Sequence, residues 1–212
     1  MYLRQPSKGT AKEISTKEKI FNAAVKLFSE KGYMEISMRE IADITGITVA
    51  GLYNHYASKE DILYSLYDFY TNHWKEKCPD LNDLLELTEI ETPYDIFSRF
   101  IFHFDPVLID TMDRIVRIAI RRIGIDARSE ALIRDHVAST KIVVPVLERL
   151  VELGKIEPID VGCFATTLIM VNVYSAFVNG SNLQLSLEQW RKSYEMVFSV
   201  IKIRPNKDWK SK

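Results

Sequence analysis

Apolar positions along the chain recur at intervals of three and four, and no run alternates as a half-buried strand would require. Ile20, Ala24, Leu27 and Phe28 make the first apolar face, opened by "STKE" from Ser15 and closed by Gly32. The Ser-x-x-Glu form lets each side chain satisfy the other residue's exposed backbone N–H, so a helix is expected to start there. "SMRE", Ser37 to Glu40, repeats the box, and "SKED", Ser58 to Asp61, is a third version with the shorter Asp. Three helix starts so close together predict a compact cluster. Beyond Ser58, Leu63, Leu66, Tyr67, Tyr70 and Trp74 continue one stripe along a long helix, which Cys78-Pro79 interrupts.

Further along, Thr92-Pro93 and Asp105-Pro106 each pair a capping residue with proline at the first helical position, so helices are expected at both places. Phe97, Phe100, Ile101 and Phe104 lie between them. "LIDTMDRIVRIAIRRIG" reads as an amphipathic helix ending near Gly124, followed by a longer one running to Gly154 and a break at "GKIEPID". The last two helices are expected at 160–179 and 187–203. Leu187, Trp190, Tyr194, Val197, Phe198 and Ile201 stripe the final one. Residues 1–14, with Arg4, Lys8 and Lys12 around Pro6 and Gly9, read as a flexible, mildly basic arm. The fold class is therefore all-α, with the arm at 1–14, a helical cluster at 15–60 and a larger helical domain at 61–212.

Composition narrows the class without naming a partner. A chain of 212 residues, 47% hydrophobic and 27% charged, can bury a core without disulfides or metal. Cys78 and Cys163 stand far apart in no paired motif, which points to inert thiols in a reducing compartment. The N-terminus lacks an apolar signal core, and the strongest apolar run, "CFATTLIMVNVYSAFV", is short of a span, so no membrane partner and a cytoplasmic location are expected. With a net charge of -1, any attraction to nucleic acid has to come from a local patch.

Such a patch is expected between Ser37 and Tyr56, where the pattern is helix, tight turn, helix. Ile41 and Ala42 face inward, Gly46 suits a left-handed turn, and Ile47 and Leu52 plug the angle. In a helix-turn-helix the second helix enters the major groove with its first residues at the base edges. Those residues are Thr48, Val49, Ala50 and Gly51: short side chains that let the helix lie deep. Val49 and Ala50 suit thymine methyls and only Thr48 can hydrogen-bond, so DNA shape is expected to share the readout. Ser37, Tyr53, His55 and Lys59 are candidate phosphate donors, Arg39 lies near the same helix end, and Asn54 could bond a base or a phosphate. Tyr56, four residues from Leu52, is expected on the buried face.

"KIFNAAVKLFSEKGYMEISMREIADITGITVAGLYNHYASKEDIL", Lys19 to Leu63, resembles the N-terminal domain of the tetracycline-repressor (TetR) family of transcriptional regulators almost position for position. The likeness runs through Ala23-Ala24, Leu27-Phe28, Gly32-Tyr33, Ser37, Ile41-Ala42, Gly46, Leu52-Tyr53, His55-Tyr56 and Lys59. One departure is Gly51, where the family more often carries Thr, Ser or Ala. The resemblance implies an all-helical homodimer with a DNA-binding head, a larger effector-binding domain, and a four-helix interface from the last two helices. Leu187, Trp190, Tyr194, Val197, Phe198 and Ile201 are then expected at that interface, although an intrachain core would use the same stripe.

The implied function is a repressor that leaves a palindromic operator, double-stranded DNA, when a small apolar or aromatic effector binds. Tyr67, Tyr70, Trp74, Phe97, Phe100 and Phe104 would line its pocket or simply the core, and Asn172 and Ser175 could orient a ligand or pair across the dimer. Arg114, Arg117 and Arg121 read as a solvated face paired with Asp110 and Asp113, or as a seat for an anionic effector. No close-spaced ligand set predicts a metal site, no cofactor motif is present, and no catalytic arrangement is visible. The rival reading is a small-molecule sensor of the same fold acting through a protein partner instead of an operator.

Overall fold

The computed structural model describes residues 14–77, 79–96, 105–137, 140–178, 188, 192–193, 195–199 and 201. The regular elements among them are α-helices: α1 (Thr16–Lys31), α2 (Met38–Thr45), α3 (Val49–Tyr53), α4 (Lys59–Lys77), α5 (Leu81–Ile90), α6 (Pro106–Ile120), α7 (Ala127–Val137), α8 (Thr140–Glu152) and α9 (Val161–Val178). The all-helical class read from the sequence is the class found. The chain forms two compact units, one of residues 1–76 and 105–133, the other of residues 77–104 and 134–212.

The first unit is built from well-capped helices. Ser15 and Glu18 close the expected box on α1: the Ser15 N–H donates to the Glu18 carboxylate at 2.8 Å and the Ser15 hydroxyl accepts from the Glu18 N–H at 3.2 Å. Ser37 and Glu40 repeat the same pair of distances on α2. Before α4 the Ser58 hydroxyl accepts from the Asp61 N–H at 3.0 Å. The α4 stripe then turns inward, with Ile62, Leu63, Leu66, Tyr67, Phe69 and Tyr70 buried and the Phe69 ring 4.9 Å from that of Phe21 on α1. Burying this stripe is why the unit that holds the short helices extends well past residue 60.

Helix α6 belongs to the same unit. Asp105 caps it, its carboxylate accepting from the Val107 and Leu108 N–H groups at 2.7 and 3.3 Å, with Pro106 in the first turn. Of the three arginines read as a solvated face paired with Asp110 and Asp113 or as an anion seat, Arg121 is exposed, whereas Arg114 and Arg117 are largely covered because α6 packs against α1. Arg114 pairs with Asp110 at 2.7 Å and donates to the Ser29 hydroxyl at 3.3 Å, while Arg121 donates to the Ser29 carbonyl at 2.9 Å. That carbonyl lies in the last turn of α1, where helical acceptors run out and a cation is favoured. Arg117 is buried outright. Asp113 is partly covered at its surface, but the protein packed around it pushes its carboxyl up to about 7; Arg117 pulls the other way and Asp110 adds to the rise.

The single long helix expected between Gly124 and Gly154 is two helices, α7 and α8. Asp126 starts α7: its carboxylate accepts from the Ser129 N–H at 2.8 Å and from the Ser129 hydroxyl at 2.7 Å. The second unit centres on Leu84, Ile96, Val146, Leu147, Leu150 and Leu168. Its buried Lys155 donates to the Thr88 and Glu91 carbonyls, bracing the end of α5.

A carboxyl raised to about 7 holds its proton more tightly in the folded chain than its ordinary value of 3.8 allows after unfolding. Its favourable contribution is therefore complete below the lower value and lost as pH rises through the upper. The stability of Asp113→Asn relative to the parent chain should rise between pH 4 and pH 7 and level off above, as read by urea unfolding across that range. A difference that stays flat with pH would remove Asp113 from this account.

Candidate nucleic-acid interface

The turn between α2 and α3 is tight because Gly46 adopts a left-handed conformation, φ 70 and ψ 28, and sends its N–H back to the end of α2. The Ile47 N–H follows to the Ala42 carbonyl at 3.1 Å. Ile41, Ala42 and Leu52 have no exposed surface and fill the angle. Thr48 caps α3, its hydroxyl accepting from the Gly51 N–H at 3.0 Å. Tyr56 is buried as its spacing predicted, and its N–H donates to the Leu52 carbonyl at 3.1 Å. Leu52 and Tyr56 thus fasten the inner side of the second helix.

The outer side carries the residues singled out from the sequence. Ser37, Arg39, Thr48, Val49, Ala50, Tyr53, Asn54 and His55 are all exposed, Tyr53 by 51%. Gly51 is half-buried: a Cβ there would meet the Thr48 hydroxyl oxygen at 3.2 Å, so glycine leaves the cap uncrowded. Ile44 joins this surface at 58% exposure, which the sequence reading missed. It lies about a third of a turn from the inward face set by Ile41 and Ala42, and that angle was the available signal.

Two expected phosphate donors are engaged inside the chain. The Ser37 hydroxyl and N–H both donate to the Glu40 carboxylate, at 3.0 and 2.8 Å, and these bonds hold Glu40 below the usual carboxylate range. Lys59 donates to the Tyr33 and Ile36 carbonyls at 3.0 and 2.9 Å. The Met38 and Arg39 N–H groups, first in α2, have no intrahelical acceptor and remain suited to an anion.

The other predicted groups separate. Tyr67 and Tyr70 are buried within the first unit, the Tyr67 hydroxyl 2.7 Å from that of Ser129, and Trp74 stacks on Tyr70 with part of its surface open. Phe97, Phe100 and Phe104 lie outside the described residues, as do Leu187, Trp190 and Tyr194. Asn172 and Ser175 fall on α9, whose side chains there are not described. Val197, Phe198 and Ile201, read from the sequence as a dimer face or an intrachain core, are buried in the core of their own unit. The Phe198 ring meets those of Phe164 and Tyr94 edge-on at 5.4 and 6.4 Å. The uncharged helix α9 presents Gly162, Cys163, Thr166, Thr167 and Met170 on its exposed side.

Comparison with known proteins agrees with this geometry. The model of the bacterial regulatory proteins of the tetR family matches residues 20–66. The biofilm operon icaADBC negative transcriptional regulator IcaR of Staphylococcus aureus strain Newman is 30% identical over 105 residues, covering 50% of this chain and 52% of that protein. A second S. aureus HTH-type transcriptional regulator, from strain USA300, is 33% identical over 82 residues, 37% of this chain and 44% of its own length. The chain spans about half the length of the curated relatives it matches. Among solved structures, the TetR family protein CprB from S. coelicolor A3(2) superposes with a TM-score of 0.71 at 18% identity, over 92% of this chain and 91% of its own. A γ-butyrolactone receptor described as ArpA-like gives 0.61 at 18% identity, over 88% and 87%. These structures share the fold.

Two substitutions test how the turn and the second helix are held. A Cβ added at Gly46 meets nothing within 4 Å, so Gly46→Ala should cost only the left-handed backbone, about 1–2 kcal/mol in urea unfolding. A loss near zero would mean that the turn relaxes. Thr48→Ala should cost about 1 kcal/mol by removing the cap of α3, and Thr48→Ser should recover it. Equal losses in both variants would assign the effect to the threonine methyl instead of the hydroxyl.

Proposed function

We propose that this chain, whose residues 20–66 match the model of the tetR family of bacterial regulatory proteins, is an operator-binding repressor acting as a homodimer. TetR-family regulators are DNA-binding transcription factors and not enzymes. The observation that carries the reading is the division of α3, with Leu52 buried and Thr48, Val49, Ala50 and Tyr53 exposed on its other side. In this reading Thr48, Val49, Ala50 and Gly51 meet base edges. Arg39, Tyr53, Asn54, His55 and the Ser37 end of α2 meet the phosphate backbone. A dimer grips two half-sites whose centres are about 34 Å apart, one turn of DNA, or a multiple of it.

The face we assign to the partner subunit is the exposed side of α9. The Thr166 and Thr167 hydroxyls bond back to the Gly162 and Cys163 carbonyls at 2.8 and 2.9 Å, so this side carries no charge and spends its hydroxyls internally. A helix that is apolar all round is ordinarily buried. The release signal in this reading is a small apolar or aromatic molecule, and Trp74, partly open beside Tyr70, is the described side chain best suited to meet it. One structural neighbour is by its name a γ-butyrolactone receptor, which makes small lactones reasonable first compounds to try. Repression ends when the effector favours a head spacing the operator does not fit. A shift from 1:99 to 99:1 requires about 5.5 kcal/mol of differential affinity.

The test is titration of the DNA upstream of the chain's own gene with purified protein between 50 and 200 mM salt. A dimer with some 6–10 phosphate contacts should lose about 10³–10⁵ in affinity over that range. Tyr53→Ala should weaken binding at least about tenfold, equivalent to about 1.4 kcal/mol. Weak, equal binding of parent and variant to any DNA would end the operator reading and favour the sensor that works through a protein partner.

A further inference from the structure

The turn that delivers α2 to the DNA face, residues 32–37, is gripped from two distant parts of the chain. Lys59, at the start of α4, lies 4.2 Å from the centre of the Tyr33 ring and donates to the carbonyls at both ends of the turn, Tyr33 and Ile36. Arg122, just past α6, also sits 4.2 Å from the centre of that ring, and its guanidinium reaches the Met34 sulfur at 4.0 Å. The Asp126 carboxylate orients Arg122, accepting from its Nε at 2.7 Å. The Tyr33 hydroxyl donates to the Glu60 carboxylate at 2.6 Å, and the Phe28 ring packs edge-on at 5.1 Å. Tyr33 itself is buried.

We propose that Lys59 and Arg122 are positioning residues for operator binding: acting through Tyr33, they fix the turn that sets the Ser37 end of α2 without touching DNA themselves. The proposal rests on the DNA-binding reading above and gives Lys59 a role other than the phosphate donor expected from the sequence. For Lys59 to reach a phosphate, its ammonium would have to give up two carbonyls and an aromatic face, each a favourable partner for a cation. Arg122 is only 11% exposed and is held by Asp126, so a direct phosphate contact is closed to it. A loose turn would let the start of α2 shift by the ångström or so that a phosphate contact cannot absorb. The two cations meet at one ring, so loss of either should release the same constraint.

The experiment is operator titration at several salt concentrations with the parent chain, Lys59→Met, Arg122→Met, the double variant, Tyr33→Phe and Tyr33→Leu. Each is studied well below its own melting temperature. Both single variants should bind about tenfold more weakly with the salt slope unchanged, and the double variant should be little worse than either, because residues sharing a partner are not additive. Tyr33→Phe keeps the ring and should stay near the parent, while Tyr33→Leu should match the cation variants. A fall of about one in the salt slope for Lys59→Met would identify a phosphate ligand and overturn the proposal. So would full affinity in Arg122→Met, or strictly additive losses in the double variant.

If Arg122→Met does not fold, amide exchange in Arg122→Lys, which keeps the charge but not the planar stack, decides the matter. Faster exchange at residues 36–41 with α4 unchanged supports the clamp, and unchanged exchange at 36–41 overturns it. Absence of salt-dependent binding by the parent chain would instead remove the operator reading, whereas a binding parent with an indifferent Arg122→Met removes the clamp alone.

Discussion

A helix of five residues cannot stand on its own propensity, since helix nucleation costs more than one turn returns. Everything at the α2–α3 surface follows from that constraint. α3 persists because Leu52 is fully buried, Thr48 caps its start, and the left-handed Gly46 delivers the chain at the required angle. α2, at eight residues, is scarcely longer and leans on its own capping box and on Ile41 and Ala42. The two short helices are therefore tertiary structures first: α2 packs against α1 and α3, and Lys59 at the start of α4 holds the turn before α2.

This explains which parts of the molecule were legible in the sequence. Capping boxes, proline-initiated helices and the left-handed glycine are local signals, with cause and effect only a few residues apart, and they located the helix-turn-helix and the start of α6. Signals that depend on a distant partner were not legible. The pairing of Arg114 with Asp110, four residues away, was legible, but the contacts of Arg114 and Arg121 with Ser29 were not, because nothing in their own stretch reveals that partner. Lys59 looked like a free phosphate donor because its acceptors are carbonyls, which every residue carries.

Two further features have separate origins. Asp126 begins α7 through the same carboxylate-to-N–H bond that caps other helices here, but strong apolar periodicity on either side drew the reading across it. Val197, Phe198 and Ile201 were correctly read as a face that must be covered. Periodicity says that a face is buried and is silent on whether the same chain or another covers it, and here the cover is Phe164, Tyr94 and their neighbours.

The separation of α3 into a buried anchor and an exposed rim has a consequence for how such a protein can change over generations. Val49, Ala50 and Tyr53 contribute little to the interior, and surface substitutions away from caps and cores usually alter folding free energy by less than about 0.5 kcal/mol. Replacements at these positions therefore alter what the helix touches while the scaffold keeps its margin of stability. Duplicated copies of the gene could diverge in target preference one substitution at a time, with no compensating repair in the core.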